Sequence, residues 1–159
     1  MANENGRFYF DTAAVWKFYR DEEGSLNIRR LVSNLSDPIL VSSLTTLEFV
    51  SVLMKYRRKR YLKQRTVRRL VRRMRRDTAG ATRYFTVIPF NEASFKRAER
   101  ILLEHGHLHS VGSNDGLHLA VVENVRSTFR NITFVTSDHS LKSVCEKLGI
   151  PCYDPEEEP

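Results

Sequence analysis

Arg7 to Thr12 reads RFYFDT: four residues suited to a strand, then an acid and a threonine. Short aromatic stretches of this kind favour an extended chain, and the aspartate falls at the strand's carboxyl end, where a helix starts and runs through about Tyr19. The same arrangement returns late in the chain. Thr133 to Thr136 (TFVT) reads as a strand, and Asp138 follows it at the start of a helix to Leu148 with Leu141, Val144, Cys145 and Leu148 on one stripe.

The intervening chain repeats the alternation. Ser25 is placed to cap a helix with Ile28, Leu31, Val32 and Leu35 in register, which Asp37-Pro38 stops. Ile39 to Ser42 is a buried strand. Leu44 to about Arg60 is a helix, apolar nearly all round its first half. After a break, Val67, Leu70, Val71 and Met74 mark the packed face of a helix whose other face is arginine. Tyr84 to Ile88 is a third strand, ended by Pro89. Asn91 caps a helix carrying Ala98, Ile101, Leu102 and His105, and Gly106 to Gly112 is a loop. Ser113 caps a helix from about Asn114 to Val125, and a last short strand surrounds Cys152-Tyr153. Strands alternating with helices predict an α/β protein, a three-layer α/β/α sandwich with a central, mostly parallel sheet. A single domain is expected over residues 1–153, with 154–159 (DPEEEP) as a disordered acidic tail.

The length of 159 residues suffices for one core without disulfide or zinc staples. Cys145 and Cys152 have neither redox nor zinc-ligand spacing, and Cys145 reads as core. The start, MANENGRFYF, lacks a basic segment followed by an apolar run, and no stretch approaches the roughly 18 apolar residues of a membrane span. A soluble, cytoplasmic protein is expected, with no membrane partner.

The net charge of +7 conceals a division. Between Lys55 and Arg76 lie 13 of the 26 basic residues and no acid. The remaining 13 bases are outnumbered by 19 acids, so the rest of the chain carries −6. A cationic stripe on an anionic body suits a polyanion, most simply nucleic acid, although such residues also serve as an ordinary solvated face.

Four acids stand where chemistry is expected. Asp11 and Asp138 each follow a strand, and open α/β sheets bind ligands at the carboxyl ends of their strands; either can equally be the N-cap of the next helix. Glu48, in LTTLEFVSVL, has Leu44 and Val52 on its own helical row, so its carboxylate needs a cation or a hydrogen-bonding partner. Asp115, in SNDGLHLAVV, lies near the start of an apolar helix, where the helix dipole already favours it. Brought into one cleft, the four would raise one another's pKa values unless a cation neutralised them, and hard oxygen donors suit Mg²⁺ or Mn²⁺, one or two ions. Such a site would hydrolyse a phosphodiester with metal-activated water and no covalent nucleophile.

FDTAAVWKFYRDEEGS (10–25), LTTLEFVSVL (44–53), SNDGLHLAVV (113–122) and FVTSDHSL (134–141), in this order, resemble the PIN-domain family, and especially its VapC-like toxins. The similarity spans Arg7 to about Tyr153. It implies an α/β/α fold, Mg²⁺ or Mn²⁺ dependence, single-strand-selective endoribonuclease activity and a homodimer. It also implies a small antitoxin protein that blocks the active site with its C-terminal segment. By motif match the catalytic and metal-binding acids are Asp11, Glu48, Asp115 and Asp138, with Thr12 and Thr136 supporting them through hydrogen bonds. Two features depart from the family. Gly116 stands where alanine is more usual, a weakening of roughly 1 kcal/mol if interior to the helix and less in a first turn. The arginine density is also high, and Arg65, Arg68, Arg69, Arg72 and Arg73 read as contacts to RNA or to an acidic antitoxin.

Other features rank lower. His105, His107 and His109 read as a surface loop, and His118 as a core or rim histidine three residues from Asp115. The early aromatics Phe8, Tyr9, Phe10, Trp16, Phe18 and Tyr19 could stack on bases, but read mainly as core or dimer surface. No Gly-rich phosphate loop or Gly-x-Ser-x-Gly elbow occurs, and Asp-Thr-Ala after the first strand is not the Asp-x-Asp of haloacid-type phosphatases. The acids of a phospho-receiver fit poorly as well. The alternative function is a non-catalytic RNA- or DNA-binding protein of the same fold that uses the arginine helix.

Overall fold

The structure, a computed structural model, describes residues 6–157. Its elements run β1 (Arg7–Phe10), α1 (Thr12–Tyr19), α2 (Ser25–Asn34), β2 (Ile39–Ser42), α3 (Ser43–Arg58), α4 (Gln64–Thr78), β3 (Phe85–Ile88), α5 (Glu92–His105), α6 (Ser113–Val125), β4 (Ile132–Val135), α7 (His139–Lys147) and β5 (Cys152–Tyr153). The strands form one sheet in the order β3-β2-β1-β4-β5, and every described pairing is parallel.

Parallel strands need crossover helices, and these bury both faces of the sheet, so successive strand residues feed opposite cores. Phe10, Ile39, Val41 and Val135 join Trp16, Ile28, Phe49 and Met74 in one core, under α1 to α4. Tyr9, Leu40, Ile132 and Phe134 join Ile101, Leu119, Val122 and Val144 in the other, under α5 to α7. This is the expected three-layer sandwich.

The chain builds outward from β1 to β2 and β3, then returns to the opposite side of β1 for β4 and β5. Neighbouring crossovers therefore diverge between β1 and β4, and a crevice opens at the carboxyl ends of those strands. Asp11 directly follows β1, and Asp138 follows β4 by three residues.

Two caps differ from expectation by one residue. Ser25 and Ser113 are the first residues of their helices, and Gly24 and Gly112 are the caps. Gly24 has φ +78° and lies against the carbonyl of Pro155, where a Cβ would come within 2.9 Å, so both conformation and space demand glycine. The hydroxyl of Ser25 instead accepts from the Glu22 N–H and donates to the Arg20 carbonyl.

The acidic tail also differs. Lys142 Nζ donates to Asp154 (2.6 Å) and Glu157 (2.8 Å), the buried Lys17 donates to Glu156 (2.5 Å), and Asn27 donates to the Pro155 carbonyl (2.9 Å). Residues 154–157 are thus held against the body by lysines far away in sequence. Glu158 and Pro159 lie outside the described residues.

Candidate active site

The crevice between β1 and β4 widens into an open cleft of about 380 Å³, and Asp11, Glu48, Asp115 and Asp138 all line it. They arrive from four elements: the end of β1, the first half of α3, the first turn of α6 and the start of α7.

For Asp11 and Asp138 the capping role and the cleft position coexist. Asp11 Oδ1 accepts from the Ala14 N–H (2.7 Å), and Asp138 Oδ1 accepts from the Leu141 N–H (2.9 Å). Each cap occupies one carboxylate oxygen, which orients the side chain without using up its second oxygen. Thr136 links the two. Its hydroxyl accepts from the Asp138 N–H (3.1 Å) and hydrogen-bonds the Asp11 carboxylate. Asp115 Oδ2 accepts from the Gly112 N–H (2.8 Å), closing the first turn of α6.

Glu48 has the densest set of partners. Thr12 Oγ1 donates to its Oε1 (2.9 Å), Asn114 Nδ2 donates to Oε2 (3.1 Å), and His118 Nε2 lies 2.7 Å from Oε1. The other imidazole nitrogen, Nδ1, is 2.7 Å from the hydroxyl of the fully buried Tyr9. An ionised carboxylate only accepts, so Nε2 carries the hydrogen toward Glu48 and Tyr9 satisfies Nδ1. His118 is buried, as a core histidine should be, yet it also orients a cleft acid. Its place three residues after Asp115 was the available signal. Asn114 and Tyr9 gave none, because their roles depend on α6 and β1 meeting α3.

The electrostatics divide the acids. Burial pushes the Asp11 carboxyl above its ordinary value and nearby Asp138 adds to this, despite the hydrogen bonds from Thr136 and Ala14. Asp115 is raised for similar reasons, first burial and then the charges of Asp138 and Glu48. Burial alone would also raise Glu48, but His118, Thr12 and Asn114 outweigh it and hold Glu48 below its ordinary value. The cleft therefore carries negative charge that its own protein groups do not fully compensate.

That charge and those hard oxygen donors fit a divalent cation. As the side chains stand, no three His, Cys, Asp or Glu groups among the described residues converge tightly enough to form a ligand cage. The histidines of the α5–α6 loop are likewise absent from the cleft lining.

The arginines are elsewhere. Arg65, Arg68, Arg69 and Arg72 border a groove on α4 that shares no lining residue with the acid cleft. Arg73 is exposed as well, but its guanidinium lies over the rings of Phe18 and Tyr19 (5.6 and 5.1 Å), 4.0 Å from buried Asp77, which accepts from the Tyr19 hydroxyl (2.8 Å). It spends its charge fastening α4 to α1, unlike its four neighbours.

A family model described as PIN domain matches residues 8–147. The chain belongs to the PIN-domain family. No curated protein sequence matches this PIN domain. Among solved structures it is similar to FitAcB from Neisseria gonorrhoeae, with 16% identity and TM-score 0.68, covering 95% of this chain and 99% of that one. VapC20 from Mycobacterium tuberculosis, a Sarcin-Ricin loop cleaving toxin, has 14% identity and TM-score 0.66, with 96% and 99% covered. VapBC-1 from nontypeable Haemophilus influenzae has 15% identity and TM-score 0.62, with 94% and 98% covered. At these identities the likeness is one of fold. No helix among the described residues of this PIN domain is long and apolar enough to cross a membrane.

Proposed function

We propose that this PIN domain is a metal-dependent endoribonuclease and the toxin of a toxin–antitoxin pair. The supporting observation is that four carboxylates, scattered from residue 11 to residue 138, line one cleft at the switch point of the sheet. In this reading Asp11, Glu48, Asp115 and Asp138 hold one or two Mg²⁺ or Mn²⁺ ions. Bound there, the ions would supply charge neutralisation for a phosphodiester and a water of lowered pKa.

The chain's own residues organise that chemistry. Thr136 and the two helix caps fix Asp11 and Asp138, while Thr12, Asn114 and His118 fix Glu48, so the acids are oriented before substrate arrives. The partners are an RNA substrate, a small antitoxin covering the cleft and a second copy in a homodimer; the similar VapBC-1 and FitAcB structures favour the antitoxin.

The test is cleavage of a panel of structured RNAs with Mg²⁺ or Mn²⁺, against EDTA and against Asp115→Asn. Cutting should require metal and vanish in the folded variant; cutting by Asp115→Asn at the wild-type rate removes the assignment. The separate arginine groove favours a second reading, a non-catalytic nucleic-acid binder. That protein would bind with steep salt dependence and cut nothing at any metal concentration.

A further inference from the structure

We infer that the α3–α4 hairpin is a docking track for the RNA backbone, leading away from the acid cleft, with Tyr61 as a platform for an unpaired base where the two meet. This rests on the ribonuclease reading for its choice of RNA, and it adds a binding surface outside the cleft.

The first argument is the cost of the stripe. Arg65–Arg69, Arg68–Arg72 and Arg72–Arg76 are like-charged pairs four residues apart, which destabilise a helix. Lys63 and Arg65 stand at the N-terminal end, where the helix dipole disfavours cations. Among the described residues, the only carboxylate forming ion pairs with any of the 13 bases is Asp77, which meets Arg73 and Arg76. Arg65, Arg68, Arg69 and Arg72 are exposed and lack an internal anion. Folding does not use these charges; a bound polyanion would relieve them.

The second argument is continuity with the cleft. Trp16 and Tyr56 line the acid cleft, their rings 4.9 Å apart, and Tyr56 meets Tyr61 edge-on at 5.9 Å. Tyr61 is 69% exposed and comes three residues before α4 begins. A run of aromatic rings thus extends from the acid cleft to the turn that leads directly into α4, the helix that carries the arginine groove. Arg60, at φ +62°, makes the turn that places Tyr61 there.

The chemistry favours nucleic acid over an acidic protein. Guanidinium groups grip phosphate through paired hydrogen bonds, and a helical row offers them once per turn of about 5.4 Å. An exposed tyrosine adds little for a carboxylate-rich peptide but offers a stacking face to a base. Aromatic faces interleaved with a basic groove are how single strands are bound without sequence readout.

The test uses the full chain in EDTA, which prevents cutting, and a labelled oligouridylate of about 16 nucleotides. Its affinity is measured across a salt series for wild type, for Arg65/Arg68/Arg69/Arg72→Gln and for Tyr61→Ala. The four-arginine variant should bind at least tenfold more weakly, with a salt slope shallower by about 2–3, near 0.7 for each phosphate no longer neutralised. Tyr61→Ala should lose roughly tenfold in affinity with the slope unchanged. Relief of like-charge repulsion should leave the four-arginine variant's melting temperature at or above wild type.

A wild-type affinity and slope in the four-arginine variant would overturn the track, as would polyglutamate competing as well as RNA of equal charge. Cleavage of a trinucleotide too short to reach α4 separates this from the ribonuclease reading. That activity should survive in the four-arginine variant. If no RNA is cut while the slope still changes, the nuclease fails and the docking surface stands.

Discussion

His118 Nε2 lies 2.7 Å from Glu48 Oε1, while Nδ1 of the same ring is 2.7 Å from the Tyr9 hydroxyl. The pair ties α6 to α3 and is anchored from below by the central strand. It gives Glu48 a fixed donor, so its carboxylate faces the cleft in one orientation. In a carboxylate metal site, partners of this kind typically contribute 10–100-fold to metal affinity or activity. His118→Ala should therefore weaken Mn²⁺ binding by roughly that factor in calorimetry, and Tyr9→Phe, which strands Nδ1, should cost about 1–3 kcal/mol in urea unfolding. Unaltered Mn²⁺ affinity in His118→Ala would reduce the contact to simple packing.

The raised carboxyls of Asp11 and Asp115 make a prediction whose sign is easily mistaken. Their folded values lie above the unfolded ones, so between the two the native state binds more protons. Stability then falls as pH rises through that window, and above it the protein without a cation carries the full penalty. Asp11→Asn and Asp115→Asn remove the charge, and the amide oxygen of each new side chain still accepts the backbone N–H bond. In EDTA both variants should melt a few degrees above wild type, at roughly 2–4 °C per kcal/mol for a chain of this size. Mn²⁺ should raise the wild-type melting temperature and move the variants less. Variants that melt below wild type in EDTA would mean the acids are structural.

Much of this was legible from residue order. Short apolar, β-prone runs such as FYF and ILVS and stripes at 3.6 residues locate strands and helices, and the two post-strand aspartates locate the cleft. What stayed hidden depends on meetings between distant elements. Nothing near His118 in sequence reveals that Glu48, 70 residues away, completes it. DPEEEP reads as a solvated tail until Lys17 and Lys142 are seen beside it. Arg73 is indistinguishable in sequence from Arg72 until Phe18 and Tyr19 claim its guanidinium.

Gly116 shows the same limit quantitatively. Helix propensity alone says that alanine there would gain up to roughly 1 kcal/mol, and less because Gly116 lies in the first turn of α6. In the fold, a Cβ on Gly116 would sit 3.1 Å from Leu102 Cγ and 3.4 Å from the Ala98 carbonyl oxygen, because α5 and α6 pack closely at this point. The backbone oxygen cannot move without shifting α5, so the close approach offsets the propensity. Gly116→Ala should leave stability unchanged or lower it by up to about 1 kcal/mol in urea unfolding. A gain near the full propensity value would show that α5 yields at no cost.

The tail offers the last measurement. Lys17 is 4% exposed, and its ammonium donates to Glu22, to the Glu23 carbonyl and to Glu156. Burial alone would lower its pKa, but the hydrogen bonds and charges of Glu156 and Glu22 outweigh this and raise it. Ending the chain after Tyr153 removes one of three acceptors from a buried cation and strips Pro155 from Gly24 and Asn27, while Glu22 remains. The cation is then under-satisfied rather than bare, so the cost should be about 1–3 kcal/mol rather than the larger loss of an isolated buried charge. Since the folded lysine pKa is raised, its part of the stability is fully present below the unfolded pKa of 10.5 and fades only as pH climbs through the folded value. Lys17→Met should behave differently: the methionine packs without needing acceptors, and Glu22 and Glu156 are exposed enough to stay hydrated. In a Lys17→Met background the same truncation should cost less than in wild type. Equal costs in the two backgrounds would show that Pro155 packing, not the ion pair, holds the tail in place.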